Sequence, residues 1–385
     1  METTVTSAAT VAETVPGAVP TPVPVPVPGA VPMPEAVPVP GAVPMPAAAA
    51  AAVAGAPAPP ADGARRRPPV RAWLQPAVIA LVLAVAFIGC YIGLQRDPRP
   101  HHVPMAVSGQ ELADRMRGAL GDGIEVHPAA DAASARRALE RHEVSAALGE
   151  GPGGRLNLEL AGAYGPSTTA AVKSLVGAYA EGAGRQVTTQ DVVPLTRYDA
   201  RGLAGFYLAF GVTLAGFVLA QNALGLAGLL RLRHRFWLLA AVSAAVGTVA
   251  AVLAGPVLGA VPAPVVPLAF TLTLLAAAAA FATKLLGTYL GPVGVPAATL
   301  LLLTVGNSTS GAAISADLLP PAAHAVSALL PPGAAVRAIT DLSYFHGAHA
   351  TGPLVTLAAW AVTAALLVGL RTRLRARPRR TPTTA

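Results

Sequence analysis

The sequence predicts an α-helical membrane protein with six transmembrane helices, an extracytoplasmic α/β domain inserted between helices 1 and 2, and a re-entrant segment between helices 5 and 6. Charged residues make up only 12% of the 385 residues, against about 25% in ordinary soluble proteins. Apolar runs long enough to cross a bilayer recur along the chain, and arginines cluster beside them. Between the first two runs lies a segment of mixed strand and helix patterns.

Residues 1–70 are predicted to be a disordered, proline-rich cytoplasmic tail. The unit PGAVPxP recurs at Pro16, Pro28 and Pro40. Proline removes backbone donors and fixes φ, so this tail favours solvated polyproline II segments over a packed domain. It is either a tolerated low-complexity tail or a spacer or ligand for a proline-binding module.

Six apolar runs predict the membrane helices. The first, 72–95, is long enough to span and lacks a small-residue cleavage site, which favours an uncleaved signal anchor. A five-helix membrane domain is expected over 203–372. Its predicted spans are 203–230, 236–261, 264–283, 289–305 and 353–370.

The arginine clusters predict the orientation. They precede the first run, follow the second at 231–235, and fill the basic tail 373–385. Because arginine is retained on the cytoplasmic side, both termini are expected there, in a multi-pass protein of the cell membrane. The positive charges behind the net charge of +8 lie mostly beside the apolar runs. This location predicts contact with the lipid bilayer and no nucleic acid partner. The preference for arginine over lysine, with abundant Ala, Gly, Pro and Val, is typical of high-GC bacteria.

Residues 97–200 alternate between strand and helix patterns. Strands are predicted at 103–107, 124–126, 144–148, 156–160 and 186–193, with helices at 110–120, 131–141 and 166–181. Asp131 and Ser167 occupy expected N-cap positions. The glycine-rich stretch 149–155 lacks the lysine and following helix of a phosphate-binding loop, so it predicts a turn between two strands.

The segment 306–336 interrupts the last two apolar runs with glycines, hydroxyl residues and prolines. Glycines permit turns and the short polar side chains can bond nearby backbone amides. A helical pattern over 314–330 is broken at Pro320 and Pro321 and is expected to stop at Pro331, Pro332 and Gly333. Irregular backbone at membrane depth must be buried in protein or line a wet cavity, so a re-entrant broken helix is predicted.

The order of these segments resembles permeases of the type-2 ABC transporter superfamily, in particular the bacterial branch that contains phage infection protein. The residues that carry the resemblance are Thr309, Ser310, Gly311, Asp317, Leu318, Leu319, Pro320, Leu330, Pro331, Pro332, Gly333 and Ala334. The resemblance implies that the segment re-enters the membrane from outside and bounds the substrate path. The implied path or gate residues are Asn307, Ser308, Thr309, Ser310, Gly311, Asp317, Pro320, Pro331, Pro332 and Gly333.

The expected function is the membrane-spanning permease subunit of an ABC-type exporter that moves an amphipathic or peptide-like substrate outward. The chain has no GxxxxGK[ST] motif, so a separate ATP-binding subunit is expected, with a homo- or hetero-dimer of permease subunits. The basic link of Leu232, Arg233, His234 and Arg235 either docks that ATPase or only marks the cytoplasmic side. The alternative is a non-transporting surface scaffold or receptor that binds ligands through its outer domain.

The remaining polar residues suggest no catalysis. Gln221 and Asn222 predict interhelical hydrogen bonds or, alternatively, substrate contact. Lys284 is expected to extend toward the membrane surface. His346 and His349 have the spacing of a metal pair, but no patterned carboxylate or thiolate accompanies them. No enzyme activity, metal or cofactor is therefore predicted.

Overall fold

The computed structural model describes residues 70–96, 98–225 and 231–375. Five helical stretches are long and apolar enough to cross a membrane, which agrees with the predicted class of α-helical membrane protein. The tail 1–69 and the last residues, 376–385, lie outside the described part. Helix α1, Val70–Gln95, covers the first predicted span.

A five-stranded mixed sheet follows α1. The strands are β1 Val103–Ser108, β2 Ile124–Ala129, β3 Ala146–Glu150, β4 Leu156–Leu160 and β5 Val187–Asp191, and the helices are α2 Gln110–Leu120, α3 Ala132–Glu140 and α4 Pro166–Gly182. The spatial order is β2-β1-β3-β4-β5. Strands β3 and β4 are antiparallel, and the other neighbouring strands are parallel.

Alternation along β1 divides the sheet into two apolar faces. Val103, Met105 and Val107 pack with residues of α2 and α4, whereas Ala106 belongs to the cluster that includes α3. Successive strand residues point to opposite faces, so this pattern buries both sides. The second cluster also contains Phe345, which lies more than 150 residues after the last strand, β5. One face of the sheet is therefore completed by the membrane part of the chain.

Two local predictions for this region are confirmed and one is wrong. Residues 151–155 connect the antiparallel strands β3 and β4 as a turn. Asp131 caps α3, and its carboxylate accepts a hydrogen bond from the Ser134 amide at 2.6 Å. Ser167 does not cap α4, because Pro166 begins that helix and Gly165 occupies the cap position. The Ser167 hydroxyl instead bonds Ser315.

The helices of the membrane domain begin at the end of the sheet domain. They are α5 Ala204–Gly225, α6 Leu232–Val252 with a π-helical continuation to Val257, α7 Val265–Leu290, α8 Gly294–Ala298 with a π-helical continuation to Gly306, α9 Pro321–Leu329, α10 Pro331–Tyr344 and α11 Thr351–Arg375. Helix α7 is central: it packs against α5, α6, α10 and α11. Helix α11 continues to Arg375, beyond the predicted start of the basic tail at 373.

The apolar stretch Val265–Gly306 is 42 residues long, but it is not one straight helix. Gly291 has φ 60° and ψ −130°, and a short 3₁₀ turn separates α7 from α8. A side chain at Gly294 would collide with the Leu286 carbonyl, and Leu302 packs with Ala279 and Ala282. The chain therefore folds back at Gly291, two residues after the predicted start of the fifth run.

The predicted broken helix differs from the observed one in where it starts. Ala316–Leu318 is a 3₁₀ turn, and α9 begins at Pro321. The helix ends where it was expected to end, since α9 stops at Leu329, but Pro331 and Pro332 also begin a further helix, α10, because the first helical positions need no amide donor. Gly333 lies inside α10, where a side chain would collide with the Ser327 carbonyl.

Two polar predictions within the membrane helices are wrong. Lys284 is 2% exposed and does not extend to the surface, because α7 is surrounded by other helices. Asn222 donates its side-chain amide to the Val218 carbonyl of its own helix at 2.9 Å. A polar group in an apolar helix can satisfy itself locally in this way, and Asn222 makes no interhelical hydrogen bond to a residue that the structure describes.

Candidate functional site

The sheet domain and the segment 307–349 meet at a polar contact that we call the junction. Several hydrogen-bonding pairs of described residues cross it. They include His142 with Asp341, Ser167 with Ser315, His101 with Asp317, Tyr164 with Asp317, and Thr196 with Tyr344. Since α10 also packs on α5, α7 and α11, the junction connects the sheet domain to the helix bundle.

The contact between His142 and Asp341 is largely shielded from solvent. His142 Nδ1 lies 2.5 Å from Asp341 Oδ1, and the two side chains are 16% and 3% exposed. The backbone carbonyl of Asp341 also accepts bonds from the amides of Phe345 and Gly347. Charge-assisted bonds are strong where water is excluded. One residue of α10 therefore holds both the sheet domain and the turn toward α11.

Aromatic rings enclose His142. Its ring stacks on Phe345 at a centroid distance of 4.0 Å and meets Tyr164 edge-on at 5.0 Å, while His349 lies 6.1 Å away. His142 adopts φ 61°, a left-handed conformation that is unfavourable for residues other than glycine. His142 adopts this conformation two residues after α3 ends, where the contacts of the junction surround it.

Asp317 lies in a second buried part of the junction. Its carbonyl accepts a bond from the His101 amide at 2.9 Å, and its Oδ2 has no hydrogen-bond partner in the described chain. Burial raises the pKa of the Asp317 carboxyl group, and contacts with Tyr164, His324 and His142 partly oppose that rise. Burial and the nearby Asp317 also raise the pKa of the Tyr164 hydroxyl well above its usual value.

We expect Asp317→Asn to raise stability at neutral pH and to lose that advantage in acid. A raised pKa means that the folded protein binds the proton more tightly than the unfolded chain does. Ionised Asp317 therefore destabilises the fold above its folded pKa, and the penalty disappears as the pH falls toward the ordinary value of 3.8. Thermal unfolding of both proteins in detergent from pH 4 to pH 8 measures this. An equal advantage for Asn at every pH would contradict it.

A cavity of about 230 Å³ lies at the junction. Its walls come from the start of α4, the link before α5, the loop 311–315 and the C-terminal part of α10. The polar side chains in the wall are Tyr164, Ser167, Asp199, Arg201, Ser315, Thr340, Ser343 and Tyr344. Asp199 is already engaged, since its carboxylate accepts bonds from the amides of Leu203 and Ala204 at the start of α5. The hydroxyls and Arg201 suit a small polar or anionic group.

The structure brings part of the predicted gate together. Asn307, Ser308, Thr309 and Ser310 are all at most 7% exposed. The three hydroxyl groups bond carbonyls of the preceding turn, but neither side-chain polar atom of Asn307 has a hydrogen-bond partner among the described residues. An unpaired buried amide is costly, so Asn307 is suited to bind a polar group or water.

The remaining predicted gate residues separate into three places. Pro332 contacts Gly306, and Gly333 contacts Ser327, where α10 meets the ends of α8 and α9. Pro331 is buried at the same helix start. Gly311, with φ 84°, and Asp317 lie at the junction. Pro320 is exposed and does not join either group.

The predicted docking residues do not belong to the junction. Leu232, Arg233, His234 and Arg235 form the first turn of α6. Helix α5 starts at the junction and runs 22 residues before them, a length of about 33 Å. These four residues therefore lie beyond the opposite end of α5 from the junction.

His142, Tyr164 and Asp341 are junction residues that sequence patterns did not identify. Asp341 carried one usable signal, since it and Asp317 are the only acidic residues after residue 199. An acidic residue in an otherwise apolar region needs a partner. Nothing in the local sequence identifies His142 as that partner.

Comparison with known proteins gives no relative from which to assign the site. No family model matches the chain, and no curated protein or solved structure matches it either. The function must therefore be argued from the geometry of the junction and the membrane helices.

Proposed function

We propose that the protein is the membrane-spanning permease subunit of an ABC-type exporter and moves an amphipathic or peptide-like substrate outward. Asn307–Ser310 and the start of α10 form its gate, and the junction cavity receives the polar part of the substrate. A separate ATP-binding subunit supplies the energy, and two permease subunits enclose the path. The first turn of α6 is the proposed docking surface for that ATPase.

The observation that carries this proposal is the buried polar break at the end of α8. A membrane protein without a polar path has no need of an unpaired amide inside its bundle, because burying it costs free energy. Asn307 is 1% exposed and is followed directly by the irregular loop that reaches the junction. Non-helical backbone at this depth is favoured where it lines a path or cavity.

Co-purification of the full chain in mild detergent, followed by an ATPase assay, tests the proposal. We expect an ATP-hydrolysing partner to remain bound, and vesicles of the complex to move an amphipathic fluorescent peptide. Pro331→Ala with Pro332→Ala should retain the partner but lose most transport, since the start of α10 would no longer be fixed against Gly306. Pro353→Ala, in the first turn of α11, is the control. Purification with no ATPase partner would contradict export and favour the receptor or scaffold.

The proposed topology has six crossings, because α7 and the return that follows Gly291 count as two. The helical part of the return is short, from Gly294 to Gly306, so the loop after it completes the crossing inside the protein. Both termini are then cytoplasmic, and the sheet domain lies outside. The distribution of arginine supports this arrangement. So do the tight turn at Gly291 and the position of the sheet domain between α1 and α5.

Cysteine labelling of intact cells should place positions 150 and 373 on opposite sides of the membrane. Cys90 is the only cysteine, so a Cys90→Ser background carries one new thiol at a time. We expect Glu150→Cys to react with an impermeant maleimide and Arg373→Cys to react only after the cells are lysed. Labelling of both positions in intact cells would exclude six crossings.

A further inference from the structure

A groove between α6 and α11 combines apolar walls with two arginines. Its volume is about 750 Å³, and its lining includes Phe236 and Trp237 of α6 with Leu366 and Leu370 of α11. Arg233 and Arg373, one from each helix, lie in the same lining. The groove thus offers a long apolar surface beside positive charge. Trp237 is 74% exposed in a position that suits the membrane interface.

The membrane helices cannot neutralise these arginines themselves. The sequence contains no Asp or Glu between residues 200 and 316 and none after Asp341. Neither Arg233 nor Arg373 forms an ion pair with a residue that the structure describes. Two further cations, Lys284 and Arg235, lie close enough to repel each other at this end of α6. The Nε of Arg235 is buried without a described partner. The excess of positive charge beside the groove therefore favours binding of an anion from another molecule.

Arg371 has a different position from Arg373. Its guanidinium lies 4.1 Å from the centre of the Tyr289 ring, and the Tyr289 hydroxyl donates to the Leu367 carbonyl. These contacts hold α11 against the end of α7 and keep one wall of the groove in place. Arg371 stabilises the wall, while Arg233 and Arg373 remain beside the groove.

We propose that the groove binds a phospholipid with an anionic headgroup. The phosphate lies between Arg233 and Arg373, and an acyl chain lies along Phe236, Leu366 and Leu370. A free phosphate would leave the apolar walls unused, and a zwitterionic lipid would compensate less of the positive charge. Basic pockets between membrane helices are known to recognise anionic headgroups for these reasons. The proposal shares Arg233 with the proposed docking surface for the ATPase, but lipid binding requires neither transport nor the ATPase.

Native mass spectrometry of the full chain in neutral detergent, with phosphatidylglycerol or phosphatidylcholine added, tests the site. We expect phosphatidylglycerol to bind more tightly. Each arginine near an anionic surface contributes a factor of about five in affinity, so Arg233→Gln should weaken binding about fivefold and Arg233→Gln with Arg373→Gln roughly 30-fold. Arg231→Gln is the matched control, because Arg231 is an exposed arginine two residues away that does not line the groove. It should change affinity less than about twofold.

Three results would overturn the proposal. An equal loss for Arg231→Gln would mean that the lipid responds only to general positive charge. Equal binding of the two lipids would mean that the headgroup is not recognised. Competition by glycerol phosphate at the same concentration as phosphatidylglycerol would mean that the site takes a free anion. Unchanged thermal unfolding of each variant in detergent confirms that a weaker affinity does not reflect loss of the fold.

Discussion

Replacing Asp341 with alanine should destabilise the protein by about 3 kcal/mol, because it leaves the largely buried Nδ1–H of His142 without its carboxylate acceptor. The carboxylate is 3% exposed and lies 2.5 Å from His142 Nδ1. His142 would then lose the contact that helps to hold its left-handed conformation. Thermal or denaturant unfolding in detergent measures the change, and proteolysis between the sheet domain and α5 should become faster.

A double-mutant cycle separates this pair from general damage to α10. Asp341→Asn keeps an oxygen that can accept from Nδ1–H, so it should cost only about 1 kcal/mol. When Asp341→Ala is combined with His142→Ala, the loss in free energy of unfolding should be smaller than the sum of the losses in the two single variants. Additive losses would mean that the contact contributes nothing to stability. A transport assay on Asp341→Asn then separates stability from gating.

Gly216→Val should destabilise the membrane domain by about 3 kcal/mol, since overpacking forces helices apart. A side chain at Gly216 would collide with the Ala276 carbonyl and touch the Ala279 side chain of α7. Small residues let membrane helices approach closely, and that approach supplies much of their packing energy. The change is measured as a lower unfolding midpoint and reduced yield of folded protein in detergent.

Gly211→Val is the matched control for this prediction. Gly211 lies on the same helix, but nothing comes within 4 Å of a side chain built there. The two variants have the same effect on helix propensity and differ in what they meet. If both lower the midpoint equally, the close contact between α5 and α7 is not a source of stability.

The membrane helices and the elements of the sheet region were accessible from the sequence. Apolar runs fix the helices because a span needs about 20 apolar residues, and alternation in β1 and β4 marks strands buried on one or both faces. Helix boundaries were harder. A break was predicted between the runs 264–283 and 289–305, but α7 continues to Leu290, and the chain reverses at Gly291, where this glycine and Pro292 interrupt the apolar stretch.

The polar junction was not accessible because its contacts join distant residues. His142 and Asp341 are 199 positions apart, and neither has a local pattern that names the other. Ser167 was predicted to cap a helix because it lies at the start of the helical pattern. Its hydroxyl instead forms hydrogen bonds with Ser315, 148 positions away. Of the predicted gate residues, Asn307–Ser310 and the start of α10 lie close together in the structure. The surface of the sheet domain that contacts this segment is visible only in the fold.

The place of Phe345 in the sheet's second apolar cluster affects how the protein is made. The ribosome completes the five strands long before it reaches residue 345, so the newly made sheet domain exposes part of its apolar surface during translation. That surface is covered only after the last helices are inserted. A fragment that ends near residue 200 should therefore self-associate more strongly than the full chain does.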